Sequence, residues 1–364
     1  MKEDDWRDSL LGNILVVGTG TIGEPLIGLL SSLKQEMGVG DIYFHKRTPL
    51  DHEVAKVNSL ISRGAKLVTD EHNIPNFQNL GHTVFSNFQH ALSACNVVID
   101  CTPAGNFNKE EIYLPLLKEY PDKMFIAQGS EKGFGVPYAY GINDQVLASN
   151  KQSFIQVVSC NTHNIACIVN NLHALCGVNG GDFVCIRRAN DLSQDEDFIA
   201  SPHVSSHNCK NGTHHAKDVA DLFATRDVIF KKGLFSSAMK INTQYMHVVR
   251  FSIEVNDKIS RDDVIESFRG DKMIALTHHK SVNRVFSFGR DHGFYGRIYN
   301  QSVVPLSSLE TIKKGKKTIV TGFCFTPQDG NSLLSSSAAA LYGIHGKRYV
   351  FHMSYFYKLL YGEI

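Results

Sequence analysis

The feature that most constrains this chain is a short apolar run, Asn13–Val17 (NILVV), that ends in Gly18-Thr19-Gly20-Thr21-Ile22-Gly23. An uninterrupted apolar run of this length reads as a strand covered on both faces. A helical stretch, Glu24–Gln35, follows it. G-x-G-x-x-G between a strand and a helix needs its glycines for three reasons. The turn is tight, a pyrophosphate must approach the backbone, and the helix must pack on the strand. The helix N-terminus then offers unpaired N–H groups to an anion. Gly18, Gly20, Thr21, Ile22 and Gly23 are therefore predicted dinucleotide contacts.

Strand-like runs recur at Asp41–Phe44, Lys66–Val68, Val97–Cys101, Met124–Ala127 and Phe154–Val158, with helical patterns such as His52–Arg63 and Lys109–Glu119 between them. That alternation predicts a Rossmann-type parallel sheet domain over residues 1–159. Beyond it the texture changes. A helix is expected at Asn164–Leu175 and strands at Asp182–Arg187, Tyr245–Val255 and Lys317–Phe325, with loops over Ala189–Asn211. Ser260-Arg261-Asp262-Asp263 caps a helix with an acidic first turn. An α+β catalytic domain with a mostly antiparallel sheet is predicted over residues 160–328. A C-terminal segment, 329–364, containing a helix at Leu333–Tyr342, is expected to pack back on the first domain. The whole is an α/β protein.

Composition removes other classes. With 37 Lys+Arg against 36 Asp+Glu the net charge is +1, which is no nucleic-acid footprint. A chain that is 43% hydrophobic is not disordered. No stretch reaches the roughly 18 apolar residues of a membrane span, and the opening MKEDDWRDSLLGN lacks a signal-peptide pattern. A soluble, cytoplasmic protein with reduced thiols is expected. The eight cysteines form no C-x-x-C pair and read mainly as small buried residues.

Cys160 differs. Ser159-Cys160-Asn161-Thr162 follows an apolar strand and opens a helix, where the dipole favours thiolate. Such a thiolate can attack an aldehyde; the adduct then gives hydride to a nicotinamide and leaves a thioester. Asn161 and nearby N–H groups are candidates for oxyanion stabilisation. The base is sought among His207, His214 and His215; a metal cluster of His207, Cys209, His214 and His215 matches no strong zinc spacing. Cofactor choice is read from Phe44-His45-Lys46-Arg47-Thr48: two cations, Lys46 and Arg47, replace the usual carboxylate and suit the 2′-phosphate of NADP, with NAD also possible. Thr102 and Pro103, at the carboxyl end of a strand, are candidate nicotinamide or ribose contacts.

These stretches together resemble the archaeal-type (type II) glyceraldehyde-3-phosphate dehydrogenases over nearly the whole length. GTGTIGEPL is similar to the family's G-x-GTIGKRV, HKRTP to T-K-T-x-P, DCTPAG to D-x-TP-x-G, and AQGSEK to QGGEK. VVSCNT matches the active-site motif, IRRAND is similar to RRA-x-D, THHAKDV to SHHGPDV, and MHVVRF and RDDVIESF to two further segments. The resemblance implies Cys160 as nucleophile and His215, or its neighbour His214, as base. It implies NADP or NAD held also by Gly129 and, in the QDGNSLLSSS region, Asn331. A phosphorylated aldehyde and inorganic phosphate would be handled by Ser159, Asn161, Thr162, His163, Arg187 and Arg188, with no metal, in a homotetramer. Glyceraldehyde 3-phosphate would become 1,3-bisphosphoglycerate. The family's SCNTTG-x-x-R reads SCNTHNIAC here, so His163, Asn164 and Cys167 stand where Thr, Gly and Arg are usual. That departure leaves two alternatives: a different aldehyde or acyl-phosphate, or a catalytically silent nucleotide-binding protein that uses the aromatic tail Tyr349–Tyr361 as a partner surface.

Overall fold

The computed structural model describes residues 11–103, 106–129, 132–149, 153–190, 201–243, 245–315 and 317–364. Ala104 and Gly105 of the DCTPAG motif, Ser130 and Glu131 of AQGSEK, and Asp191 of IRRAND lie outside them. The chain divides into two compact units. The first takes the residues up to Val136 together with Leu147–Gln156 and Ser336–Tyr355; the second takes Pro137–Val146, Val157–Ser335 and Phe356–Ile364.

The first sheet has eight strands: β1 (Ile14–Val17), β2 (Ile42–His45), β3 (Lys66–Thr69), β4 (Ser86–Asn87), β5 (Val97–Asp100), β6 (Met124–Gln128), β7 (Val136–Tyr138) and β8 (Phe154–Val157). Their order is β4-β3-β2-β1-β5-β6-β8-β7. The pairs β1–β2, β1–β5, β2–β3, β3–β4 and β5–β6 are all parallel. The order reverses at β1, so the carboxyl ends of β1, β2 and β5 flank the switch point where ligands bind in such sheets. Every residue of β1 is buried, as its unbroken apolar run requires. Residues Leu15, Val17, Val98, Phe125 and Tyr113 share one core under the helices.

One sequence expectation shifts here. The segment read as one helix, Lys109–Glu119, begins with a π turn over Lys109–Tyr113 and becomes α-helical at Leu114–Glu119. Pro115 carries no N–H to donate to the carbonyl four residues back, and Leu114 N–H reaches Lys109 O instead.

The second unit holds a mixed sheet: β9 (Val178–Arg187), β10 (His203–Val204), β11 (Gly233–Lys240), β12 (His247–Val255), β13 (Ile274–Thr277), β14 (Ser302–Pro305), β15 (Glu310–Lys314) and β16 (Lys317–Thr326). The order is β10-β11-β9-β12-β16-β14-β13, with β15 beside β16. Only β9–β11 and β13–β14 pair in parallel, so the sheet is mostly antiparallel. Along β12 burial alternates strictly, one face turned to the core. The Cys160–Cys176 helix lies on that face, its Ile165, Ile168, Val169 and Leu172 packed into the largest apolar cluster. Ser260 caps Arg261–Gly270 in a complete capping box with Asp263. None of the described residues forms a helix long and apolar enough to cross a membrane.

Candidate active site

In the first unit the glycine turn has the geometry its residues demand. Gly18 has φ +97°, and a Cβ there would press on the Cys101 backbone. A Cβ on Gly23 would strike Gly18 O at 2.1 Å, so the helix Gly23–Ser32 can approach β1 only as glycine. A Cβ on Gly20 would meet nothing within 4 Å, leaving room for a ligand. No side chain caps the helix N-terminus at Ile22; the backbone does part of that work, since Glu24 N–H donates to Gly20 O and Pro25 carries no N–H. Beside the turn lies a cleft of about 660 Å³ lined by Gly18, Thr19, His45–Thr48, Asp70, Phe88, Thr102, Pro103 and Phe107, among others. Asp100, at the end of β5, holds two of the lining residues, Thr102 and Asn108, in place. One carboxylate oxygen accepts from Thr102 N–H and Oγ1–H, and the other from Asn108 Nδ2 and Tyr113 O–H. Gly129 follows β6 at φ +80° and accepts from Gln156 through its carbonyl.

The two predicted cations part company. Lys46 is buried and ion-paired with Glu53, which also takes Lys56. Burial alone would raise the Glu53 carboxyl, but its hydrogen bonds with both lysines hold it below the usual range. Lys46 is therefore not the free phosphate ligand that the basic stretch suggested. Arg47 is exposed on the cleft, and no described residue takes its guanidinium. Asp70, at the end of β3, brings to the cleft a carboxylate that the sequence reading passed over, 3.4 Å from His45 Nε2.

In the second unit Cys160 is the first residue of its helix. Ser159 is the N-cap, its hydroxyl facing Thr162 N–H and 2.8 Å from Thr162 Oγ1. Thr162 is wholly buried in that cap, and its hydroxyl faces the capping serine, not a substrate surface. Burial pushes the Cys160 thiol up to about 11, against the pull of Arg188 and Arg187. The depressed pKa expected from the helix dipole is overridden by desolvation. All eight cysteines are free thiols.

His215 stands in the first turn of the helix His214–Ala224, buried and stacked on His214 at 4.0 Å. Its Nε2 lies 3.4 Å from Asn161 Nδ2 and its Nδ1 3.1 Å from Thr213 Oγ1. Burial, then His214 and Arg187, lower its pKa to about 3, so the ring is a neutral acceptor at physiological pH. His215, not His214, is the histidine that meets the Cys160 turn through Asn161. Sequence reading left this helix unassigned. Its signal was present, since buried His215, Ala216, Val219, Leu222 and Phe223 recur at helical spacing. Among the described residues no three His, Cys, Asp or Glu side chains gather as a metal site.

The departures from the family motif point inward. His163 is fully buried, with Nδ1 3.0 Å from Ser159 O and Nε2 2.8 Å from Ser335 Oγ; burial lowers its pKa to about 4. Both ring nitrogens are engaged, which removes it from the predicted substrate contacts. Cys167 belongs to the apolar core under the helix. Both side chains are buried against protein partners. Arg188 is also buried, held by Tyr245 O and Asp329. Arg187 is part-exposed, and no described residue accepts from it, although it is close enough to Cys160 and His215 to bias both. Asn331 spends its amide hydrogens on the Cys160 and Gln301 carbonyls. Its buried Oδ1 has no partner among the described residues, an acceptor that a carboxamide N–H would satisfy.

Comparison with known proteins bears on these residues. The model of the glyceraldehyde 3-phosphate dehydrogenase C-terminal domain matches residues 159–292. A glyceraldehyde-3-phosphate dehydrogenase of Sulfolobus acidocaldarius is 26% identical over 82% of this chain and 83% of its own length. The Methanocaldococcus jannaschii protein of that name is 24% identical over 82% and 85%, and that of Pyrobaculum calidifontis 27% over 76% and 77%. With the parallel sheet, the glycine turn and the cysteine-led helix, these matches support the archaeal-type glyceraldehyde-3-phosphate dehydrogenase family, a family of oxidoreductases, for this chain.

Proposed function

We propose that this protein oxidises glyceraldehyde 3-phosphate to 1,3-bisphosphoglycerate with NAD(P) and inorganic phosphate, through a thioester on Cys160. The observation that carries the reading is the first turn of the Cys160 helix. There a thiol is followed by an asparagine that reaches a buried, neutral imidazole. The thiol adds to the aldehyde carbon. An S–C bond forms, and the proton passes by way of His215 to the former carbonyl oxygen. Bound nicotinamide supplies the acceptor for the hydride that leaves this carbon. His215 takes the hydroxyl proton as the thioester forms. A phosphate oxygen then attacks the acyl carbon, the S–C bond breaks, and sulfur recovers its proton from His215. Asn161 Nδ2 is a donor for the oxyanion, and Arg187 supplies the cation for a phosphate group. The family resemblance also favours a homotetramer.

Residues for the dinucleotide fit at Gly18, Gly20 and Gly23, at the helix turn that no side chain caps, and along the cleft to Arg47. Because Glu53 neutralises Lys46, the preference for a 2′-phosphate rests on Arg47 alone. Arg47→Ala is expected to raise KM for NADP about 10-fold, one charge-assisted contact, and to leave KM for NAD within about 2-fold. Equal effects on both cofactors would reject the assignment. The activity itself is tested by following cofactor reduction with glyceraldehyde 3-phosphate. Reduction should require inorganic phosphate. Turnover that ignores phosphate, or that occurs only with other aldehydes, would overturn the substrate assignment.

A further inference from the structure

We propose that Thr326 and Asn164 are positioning residues that set the tautomer of His215 by fixing which end of the Asn161 amide faces it. This rests on the reading above that Cys160 and His215 carry the reaction.

The groups form one buried chain. Asn164 Nδ2 lies 2.7 Å from Thr326 Oγ1, and Thr326 Oγ1 lies 3.1 Å from Asn161 Oδ1. Asn161 Nδ2 faces His215 Nε2, and His215 Nδ1 faces Thr213 Oγ1. Thr213 Oγ1 lies 2.7 Å from Ser236 Oγ. All six side chains are buried, Asn164, Thr326 and Ser236 completely, so no water competes for these bonds and each proton has a fixed place.

The hydrogens run through the chain in one direction. Ser236 Oγ accepts from Ala216 N–H and donates to Thr213 O, so the Thr213 hydroxyl donates to Ser236 and has a lone pair left for His215 Nδ1–H. The imidazole proton is then on Nδ1 and the lone pair on Nε2. At the other end Thr326 accepts from Asn164, so its own hydrogen goes to Asn161 Oδ1 and the Asn161 NH2 is turned to Nε2. Both ends demand the same tautomer, and that tautomer makes Nε2 the base. The Asn161–His215 contact, at 3.4 Å, is the longest in the chain and the easiest to exchange for a substrate proton. If the amide turned over, Oδ1 would face Nε2, favour a proton there, and remove the base. Asn164 occupies one of the positions where this chain departs from the family motif, and it is the outermost donor of the chain.

The test combines kinetics with a measurement on the unaltered protein. Thr326→Val is expected to lower kcat on the order of 10- to 100-fold, as loss of tautomer control does elsewhere. KM for the aldehyde should stay within about 3-fold, and the kcat–pH profile should change shape. Thr326→Ser, which keeps the hydroxyl, should recover kcat to within about 3-fold. In the wild type, 15N spectra of labelled histidine should show His215 protonated on Nδ1. A wild-type His215 protonated on Nε2, or a Thr326→Val enzyme with unaltered kcat and pH profile, would overturn the relay. Wild-type turnover in His215→Asn or Cys160→Ser would instead overturn the underlying reading of the site, so the two failures are distinct.

Discussion

Replacing Cys160 by Ser should lower kcat by at least about 10⁴-fold while leaving KM for the aldehyde within a few-fold and the fold intact. The expectation comes from the protonation states at the site. The thiol is pushed up to about 11 and the imidazole down to about 3, so at pH 7 both are neutral and no thiolate–imidazolium pair stands ready. On the proposed route the proton must then move as the S–C bond forms. Sulfur tolerates that, because a thiol near pH 7 is still a strong nucleophile once its proton has a base to go to. A serine hydroxyl in the same place starts many pKa units further away and is a poorer leaving group when phosphate attacks the acyl carbon. The structural cost is small. Cys160 is part-exposed at the first helical position, and its carbonyl, which Asn331 holds, is unaffected by the side chain. Steady-state rates beside a thermal melt decide the matter. A Cys160→Ser protein that melts normally and turns over like the wild type would refute the thioester route.

The candidate site was legible where one element holds its residues. The glycine turn and the cysteine-led helix could be read because strand, turn and helix N-terminus are adjacent in the chain, whereas the histidine pair stood out only as imidazoles, its helix carrying no expectation. What the sequence hid is the partner of each polar group. Lys46 and Arg47 look alike in a string of letters. Glu53, seven residues beyond Lys46 in a short 3-10 turn, takes one and leaves the other. His163 looks like a substituted phosphate ligand, but the first helical turn carries it inward, between its own capping serine and Ser335 from a helix 172 residues away. Thr326 had no local signal at all. It ends β16, and it meets Asn161 only because β16 pairs with β12 and the Cys160 helix packs against that sheet. Sequence periodicity reports which face is buried. It does not report which buried polar atoms meet, because that depends on pairings between strands and helices far apart in the chain.

Those buried imidazoles make the second unit sensitive to acid. His163 is lowered to about 4, His215 to about 3, and His247 well below its ordinary value, each chiefly by burial. In the unfolded chain all three titrate near 6.5. The native state therefore binds fewer protons than the unfolded state at any pH between those limits. The stability attached to neutral imidazole is complete above about pH 6.5 and is lost as pH falls. The loss ends only below the native values, near 3 to 4. Each group contributes a slope of about 1.4 kcal/mol per pH unit inside that window, so three contribute about 4. His45 and His345 in the first unit are also lowered by burial and add in the same sense. Asp144, raised by burial, opposes them, but only as the pH approaches the carboxylate range. Urea midpoints should therefore be level from pH 8 to 7 and fall steeply between pH 6 and 5. His163→Asn can still donate from Nδ2 to Ser159 O. It should be less stable than wild type at pH 7.5 but lose stability less steeply on acidification, because one of the three protons is gone from the linkage. A wild-type midpoint that stays level down to pH 5 would show that the imidazoles accept protons while folded, and the account of their burial would have to be abandoned.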